Sequence, residues 1–389
     1  MTARVEVARV RVIRASSRLA RSEITAPMDR FAEYRGRRAG WYGGMDSVLV
    51  ELGVDGLGSG APVGLAVTQG GGAVAALLTE HLLPLTLGRR LEAVADIELL
   101  AEQLRLATHP YGSAGIAAMA RSAIDIALWD LLGRLRSEPV YRMLGGDPSP
   151  MPVYATGNDI EHHRDLGFTA SKVGLQYGPW HENGRARASD QIIGARARAG
   201  ADHTLMADGW MGLDVPFVRS VSAALREAAF EWLEEPLPPD DQSGLALVAE
   251  VLGDVALATG EHATTHAELL LTARSGARVL QPDIAWCGGI TAIRRLAAQL
   301  PPGVELTPHL SGTPWGLHVA AALPLVRRVE WYVESEPGEP LEAVQGPLTG
   351  GPLPSAGMIS PREEPGLGIG VHAEFIDRWA GRAHTINAR

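Results

Sequence analysis

Leu205-Met206-Ala207-Asp208, Trp232-Leu233-Glu234, Ala258-Thr259-Gly260-Glu261, Leu280-Gln281-Pro282-Asp283, Leu306-Thr307-Pro308-His309 and Arg328-Val329-Glu330 share one pattern: a short strand-like run ending on an ionisable side chain. Successive ends are 26, 27, 22, 26 and 21 residues apart, by the numbering. Each step is about one strand, one helix and two short loops. Two further runs precede them, 151–156 and 168–174, the second carrying Lys172. Helical patterns fall between the runs, near 187–199, 214–227, 242–252, 264–274, 288–299 and 315–323, with a short one near 159–166. Eight strands alternating with helices suit a closed parallel barrel, with a doubly wound open sheet as the rival.

Outward from this core the texture changes. Residues 3–13 alternate Val5, Val7, Val10 and Val12 and read as a strand, and 47–54 with 62–67 read as a hairpin. Helices are expected at 72–86, 93–107 and 114–136, the last with an apolar stripe through Ile124, Leu128 and Leu131. Strands first and helices after give an α+β domain over 1–145. The barrel is expected over 146–334. The Gly- and Pro-rich segment 335–389 is expected to return to the first domain. Residues 14–45 read as a long loop with seven arginines against three carboxylates, in a chain of net charge −10. A basic lid of this kind suits an anionic substrate.

Barrel chemistry sits at the C-terminal ends of the strands. A lone carboxylate after an apolar run is ordinarily a helix cap. Asp208, Glu234 and Glu261 on adjacent strands would repel one another unless a cation lay between them. An all-oxygen set favours a hard ion, hence Mg²⁺. Glu234, rather than the Glu235 that follows it, is the expected ligand, with Glu235 bonded to a neighbouring strand. Asp283 and His309 fall on neighbouring strands, as a carboxylate orienting an imidazole base would. Lys172 is the single lysine among 35 Lys and Arg. It is a compact ammonium with a movable pKa, which makes it a catalytic candidate.

Composition narrows the function. The acidic balance argues against a nucleic-acid partner. One cysteine, Cys287, excludes a disulfide framework and a cysteine zinc site. The N-terminus has no signal-peptide core, and the glycine-rich run 56–79 is not a membrane span, so a cytoplasmic protein is expected. Gly56-Leu57-Gly58-Ser59-Gly60 is followed by Pro62 and a strand, not by the helix a dinucleotide loop needs. His262 and His266 lack the glutamate of a zinc-protease motif, since Ala263 holds its place. His162-His163 reads as a solvated helix face.

Longer motifs carry a resemblance. They are Pro27-Met28, Glu33-Tyr34-Arg35, Ser122-Ala123-Ile124-Asp125, Trp129-Asp130, Pro139-Val140-Tyr141, Met206-Ala207-Asp208-Gly209-Trp210, Glu234-Glu235-Pro236, Gly260-Glu261-His262 and Asp283-Ile284-Ala285-Trp286-Cys287-Gly288-Gly289. On these the chain resembles the mandelate-racemase-like branch of the enolase superfamily, nearest to its L-rhamnonate dehydratases. The resemblance implies a (β/α)₇β TIM-type barrel with an α+β capping domain. It implies Mg²⁺ on Asp208, Glu234 and Glu261, a His309–Asp283 acid/base dyad, and Glu330 beside the substrate carboxylate. The implied activity is dehydration of an acid sugar, a small-molecule substrate, by a homo-oligomer. Arg18, Arg38 and Trp41 of the basic loop, with His262, are the candidate substrate contacts. Two departures stand out. Many relatives carry a second lysine where this chain has Gly174, which argues against a two-base racemase. A first-loop histidine of the rhamnonate dehydratases falls at Arg18, which points away from L-rhamnonate itself. The alternatives are a Schiff-base aldolase using Lys172 and a non-catalytic sugar-acid binding protein.

Overall fold

The computed structural model describes residues 3–14, 24–37, 46–54, 56–57, 60–343 and 346–388. Arg18, Arg38 and Trp41 lie outside them. The alternating valines of β1 (Val7–Ile13) pair antiparallel with β2 (Ser47–Gly53), which pairs with β3 (Val63–Thr68). The C-terminal strand His384–Asn387 adds to the free edge of β1. One face of this sheet is covered by the helix Ile116–Arg136, buried from Ala117 to Gly133. Burial on nearly all sides explains why its apolar pattern is broad: the helix is held between the sheet and the barrel.

The barrel strands follow in chain order: β4 (Met151–Thr156), β5 (Ala170–Gly174), β6 (Thr204–Asp208), β7 (Phe230–Glu234), β8 (Ala256–Thr259), β9 (Val279–Leu280), β10 (Glu305–Leu306) and β11 (Val329–Tyr332). One helix separates each from the next, seven in all. All pair in parallel in the order β10-β9-β8-β7-β6-β5-β4-β11. The two end strands meet where Gly312 N donates to Glu330 O at 2.7 Å and Glu330 N donates to Ser311 Oγ at 2.9 Å. This is the expected (β/α)₇β barrel with an α+β cap, and the open doubly wound sheet is excluded.

Local expectations differ in three places. β9 and β10 are two residues each, against 278–283 and 304–308 expected, because Pro282 and Pro308 carry no N–H for a ladder. The pairing resumes past the prolines as a parallel bridge between Asp283 and His309. The helix expected over 72–86 is broken by a π turn at Leu78–Leu82 just before Pro84. His162 and His163 are buried, not solvated: His162 Nε2 bonds Ser335 Oγ at 3.1 Å and His163 Nδ1 bonds Ser171 Oγ at 3.0 Å. The two lie on the inward face of the short helix Ile160–Asp165, capped by Asp159, while Glu161, Arg164 and Asp165 take its solvent face.

The cap is stitched to the turn that follows β9. Thr68 Oγ1 donates to Ala285 O at 2.7 Å, Gly288 N donates to Ser122 Oγ at 2.8 Å, and Thr291 N donates to Asp125 Oδ2 at 3.0 Å. Trp129 Nε1 donates to Thr291 Oγ1 at 3.0 Å. Gly289 lets the two backbones approach. Its φ is +85°, and a Cβ there would stand 2.3 Å from Asp125 Oδ2. Gly289→Ala should therefore lower stability by about 1–3 kcal/mol, read as a lower urea midpoint. An unchanged midpoint would show that the interface relaxes around a side chain.

Candidate active site

Six strand ends deliver ionisable groups to one rim. Asp208 and Glu234 are the last residues of β6 and β7 and are register partners. Glu261 stands two residues beyond β8, Asp283 and His309 just beyond β9 and β10, and Glu330 within β11. All five carboxylates are buried. Lys172, on β5, is 2% exposed and sits among them. Its ammonium bonds Glu234, lies 2.7 Å from Glu330 Oε1 and 4.0 Å from Asp208 Oδ2. Burial works against that charge, but Glu234 and then Glu330 outweigh it and hold the lysine protonated well above its ordinary range. A protonated, multiply bonded ammonium is a poor nucleophile, which weighs against the Schiff-base reading.

The carboxylates are held from behind. Glu234 Oε2 accepts from Gln281 Nε2 at 2.5 Å and Trp232 Nε1 at 3.2 Å. Glu330 Oε1 accepts from Thr156 Oγ1 at 2.5 Å, and its Oε2 accepts from Leu310 N at 2.8 Å. Burial opposes ionisation of Glu330, but Lys172 and His309 overcome it and bring it down to about 2. Both its oxygens are thus engaged by the chain itself. Thr156, Trp232 and Gln281 were not singled out from sequence. Thr156 ends the first barrel strand, and the strand-end rule that picked out Glu234 reaches it; nothing in the pattern marks the other two.

Glu235 has φ +40°, and this left-handed turn points it away from its neighbour. It accepts from Thr259 Oγ1 at 3.0 Å, Gly260 N at 2.8 Å and His262 Nδ1 at 3.2 Å. His262 is tied to the framework by that bond, and its ring lies between Trp210 and Trp286, at centroid distances of 6.5 and 5.8 Å. Trp286 in turn lies 5.6 Å from the His309 ring. Three aromatic rings therefore wall the rim beside the dyad.

His309 Nδ1 bonds Asp283 Oδ2 at 2.8 Å, and Asp283 Oδ1 is fixed by Ala285 N at 2.7 Å. Nε2 is left facing the rim, 3.4 Å from Glu261 Oε1. Burial disfavours its charge, but Glu261, Asp283 and Glu330 together push the imidazole up to about 10. The segment 24–37 docks above β5, where Thr25 N donates to Leu175 O at 2.6 Å. A Cβ on Gly174 would lie 3.1 Å from Ile24 Cδ1. Ile24 thus covers the end of β5 at Gly174.

Metal fit can be judged from the donor set. Among the described residues, no three His, Cys, Asp or Glu side chains converge tightly enough to hold an ion as they stand. Lys172 draws Glu234, and His309 draws Glu261. The buried negative charge nevertheless exceeds what these two cations supply. Burial drives Asp208 up to about 6 and Glu234 up to about 8, opposed in each by Lys172. Three buried carboxylates on consecutive strands, oxygen donors only, suit a hard divalent cation.

Residues 47–145 match the mandelate racemase/muconate lactonizing enzyme N-terminal domain, and residues 157–375 match the enolase C-terminal domain-like family. A protein of Caldivirga maquilingensis, provisionally named L-rhamnonate dehydratase, is 32% identical over 361 residues, 91% of this chain and 89% of its own. The crystal structure of L-rhamnonate dehydratase from Gibberella zeae superposes with a TM-score of 0.87 at 28% identity, covering 97% of this chain and 96% of that one. A structure of the Gibberella zeae enzyme complexed with Mg gives 0.88 at 26% identity, with the same coverage.

Lys172→Met tests the ammonium's hold on the carboxylates. Leaving Glu234 and Glu330 buried without their cation should cost roughly 3–5 kcal/mol in urea unfolding with a chelator present. Stranded carboxylates have raised folded pKa values, so the deficit should narrow as pH falls and widen as it rises. A pH-independent change below about 1 kcal/mol would show that the carboxylates do not depend on it.

Proposed function

Because the chain belongs to the mandelate racemase/muconate lactonizing enzyme family of the enolase superfamily, we propose that it is a Mg²⁺-dependent acid-sugar dehydratase, a hydro-lyase. The observation that carries this reading is the His309–Asp283 pair at one edge of the buried carboxylate rim. The names of its relatives, and the Mg in one of their structures, support it. Asp208, Glu234 and Glu261 would hold the ion, which supplies positive charge against the enediolate that forms when an α-hydroxy acid loses its 2-proton.

The chain's own residues account for the rest. With Glu261 committed to a cation, His309 would lose the largest push that keeps it protonated; the neutral ring then takes the 2-proton at Nε2, which faces the rim, while Asp283 holds Nδ1–H and fixes the tautomer. The imidazolium then donates that proton to the departing 3-hydroxyl, giving water and an enol that becomes a 2-keto-3-deoxy acid. One group serving as base and acid requires both to lie on one face of the substrate, so the elimination is syn. Lys172 and Glu330 flank the carboxylate end of the substrate. Gly174 under Ile24 leaves no second base on the opposite face, which favours elimination over racemisation.

The discriminating variant is His309→Asn, which keeps polarity but cannot take the proton. It should lose dehydration and also exchange of the 2-proton with deuterated solvent, while Mg²⁺ affinity survives. Asp208→Asn should instead weaken Mg²⁺ binding strongly, measured by calorimetry. Solvent exchange persisting in His309→Asn would move the base elsewhere.

Arg18, with its fixed charge and several donors, favours a substrate with an extra hydroxyl or a distal carboxylate over one with a methyl terminus. Arg18→His should shift kcat/KM towards L-rhamnonate in a panel of acid sugars. A wild type that already prefers L-rhamnonate would refute this assignment.

A further inference from the structure

A second cavity, of about 510 Å³, lies outside the rim, between the cap helices Val94–Thr108 and Ile116–Arg136 and the barrel segments 265–267 and 287–299. Its chemistry is unlike the rim's. Arg121 lines it and is 8% exposed. Its guanidinium donates to Thr108 Oγ1 at 2.8 Å and to Ser113 O at 2.7 Å. Both acceptors are neutral, and among the described residues no carboxylate pairs with it. Two donors of five are thus committed, and the charge is buried without a counter-ion, an arrangement that ordinarily costs stability. Asp125 stands one helical turn away and also lines the cavity; its Oδ2 accepts from Thr291 N, its Oδ1 has no hydrogen-bond partner among the described residues, and burial pushes its carboxyl up to about 7, which disfavours its charge.

The walls around Arg121 are apolar, formed by Leu104, Ile124 and Leu128. At the mouth, Arg105 and Arg295 share one carboxylate, Glu102, at 2.7 and 3.5 Å. The mouth is therefore cationic in a chain whose net charge is −10. The far wall includes Cys287 and Gly288, in the turn that carries Asp283. Trp286 N and Cys287 N both donate to Asp283 O at 3.0 Å. The cavity wall and the partner of His309 thus belong to one hydrogen-bonded turn.

We propose that this cavity binds a small organic monocarboxylate with an apolar body, its carboxylate on Arg121, and that occupancy is transmitted to Asp283 through the turn 285–288. A carboxylate supplies the missing counter-charge with a planar acceptor that suits a guanidinium, and the leucine and isoleucine walls take the apolar remainder. The ligand sits apart from the acid-sugar site, so the inference stands whether or not the dehydratase reading does.

Benzoate and its neutral isostere benzamide are the probes, titrated into the full-length protein by calorimetry. Benzoate should bind at least about tenfold more tightly than benzamide, and Arg121→Gln should remove that difference. Ala101→Phe, which adds a ring to the cavity wall on the neighbouring helix and keeps Arg121, should block both probes. With benzoate bound, amide exchange at Trp286 and Cys287 should slow. Equal affinity for the two probes, or benzoate binding unchanged in Ala101→Phe, would overturn the site and place any binding at the rim instead. Unchanged exchange at Trp286 and Cys287 under saturating benzoate would overturn the link to Asp283.

Discussion

A single buried ammonium among carboxylates is the constraint on which the rest of the rim depends. Lys172 lies on β5 with Glu234, Glu330 and Asp208 around it, on β7, β11 and β6. No pair of these residues is near in sequence, so the barrel must close before any of them meets its partner. The charges are then removed from water together, where an unpaired one would be costly. Gln281, Trp232, Thr156 and the Leu310 amide complete the arrangement by occupying the carboxylate lone pairs that face the barrel interior.

The same economy organises the dyad. His309 is oriented by Asp283, Asp283 by the Ala285 amide, and the turn 285–291 by the cap helix through Ser122, Asp125 and Trp129. The cap therefore does more than close the barrel mouth. It holds the turn from which Asp283 reaches His309. Gly288 and Gly289, with φ of +108° and +85°, allow that turn to lie against the helix. Residues 24–37 dock over β5, and Asp29 of this segment is buried and accepts from Ala26 N at 2.8 Å and Gly36 N at 3.0 Å.

Membership of the mandelate racemase/muconate lactonizing enzyme family follows from matches across both domains. At Gly174 a Cβ would stand 3.1 Å from Ile24, so any side chain there requires Ile24 to give way. No helix among the described residues is long and apolar enough to cross a membrane.

The architecture and the strand-end residues were legible because the signal is one-dimensional. A strand, a helix and two loops take a nearly constant number of residues, so Asp208, Glu234, Glu261, Asp283, His309 and Glu330 recur at near-constant intervals. The pairings were not legible in that way. Nothing in the spacing says that Lys172 bonds Glu234 and Glu330, that Gln281 backs Glu234, or that His162 and His163 are buried against serines. Those depend on strand stagger, on the twist that brings β11 beside β4, and on the left-handed turn at Glu235. Sequence alone decided which chemical groups reach the rim, because chain length between strands is local. Only tertiary structure decided which charges neutralise one another there, because that depends on distances between strands remote in the chain.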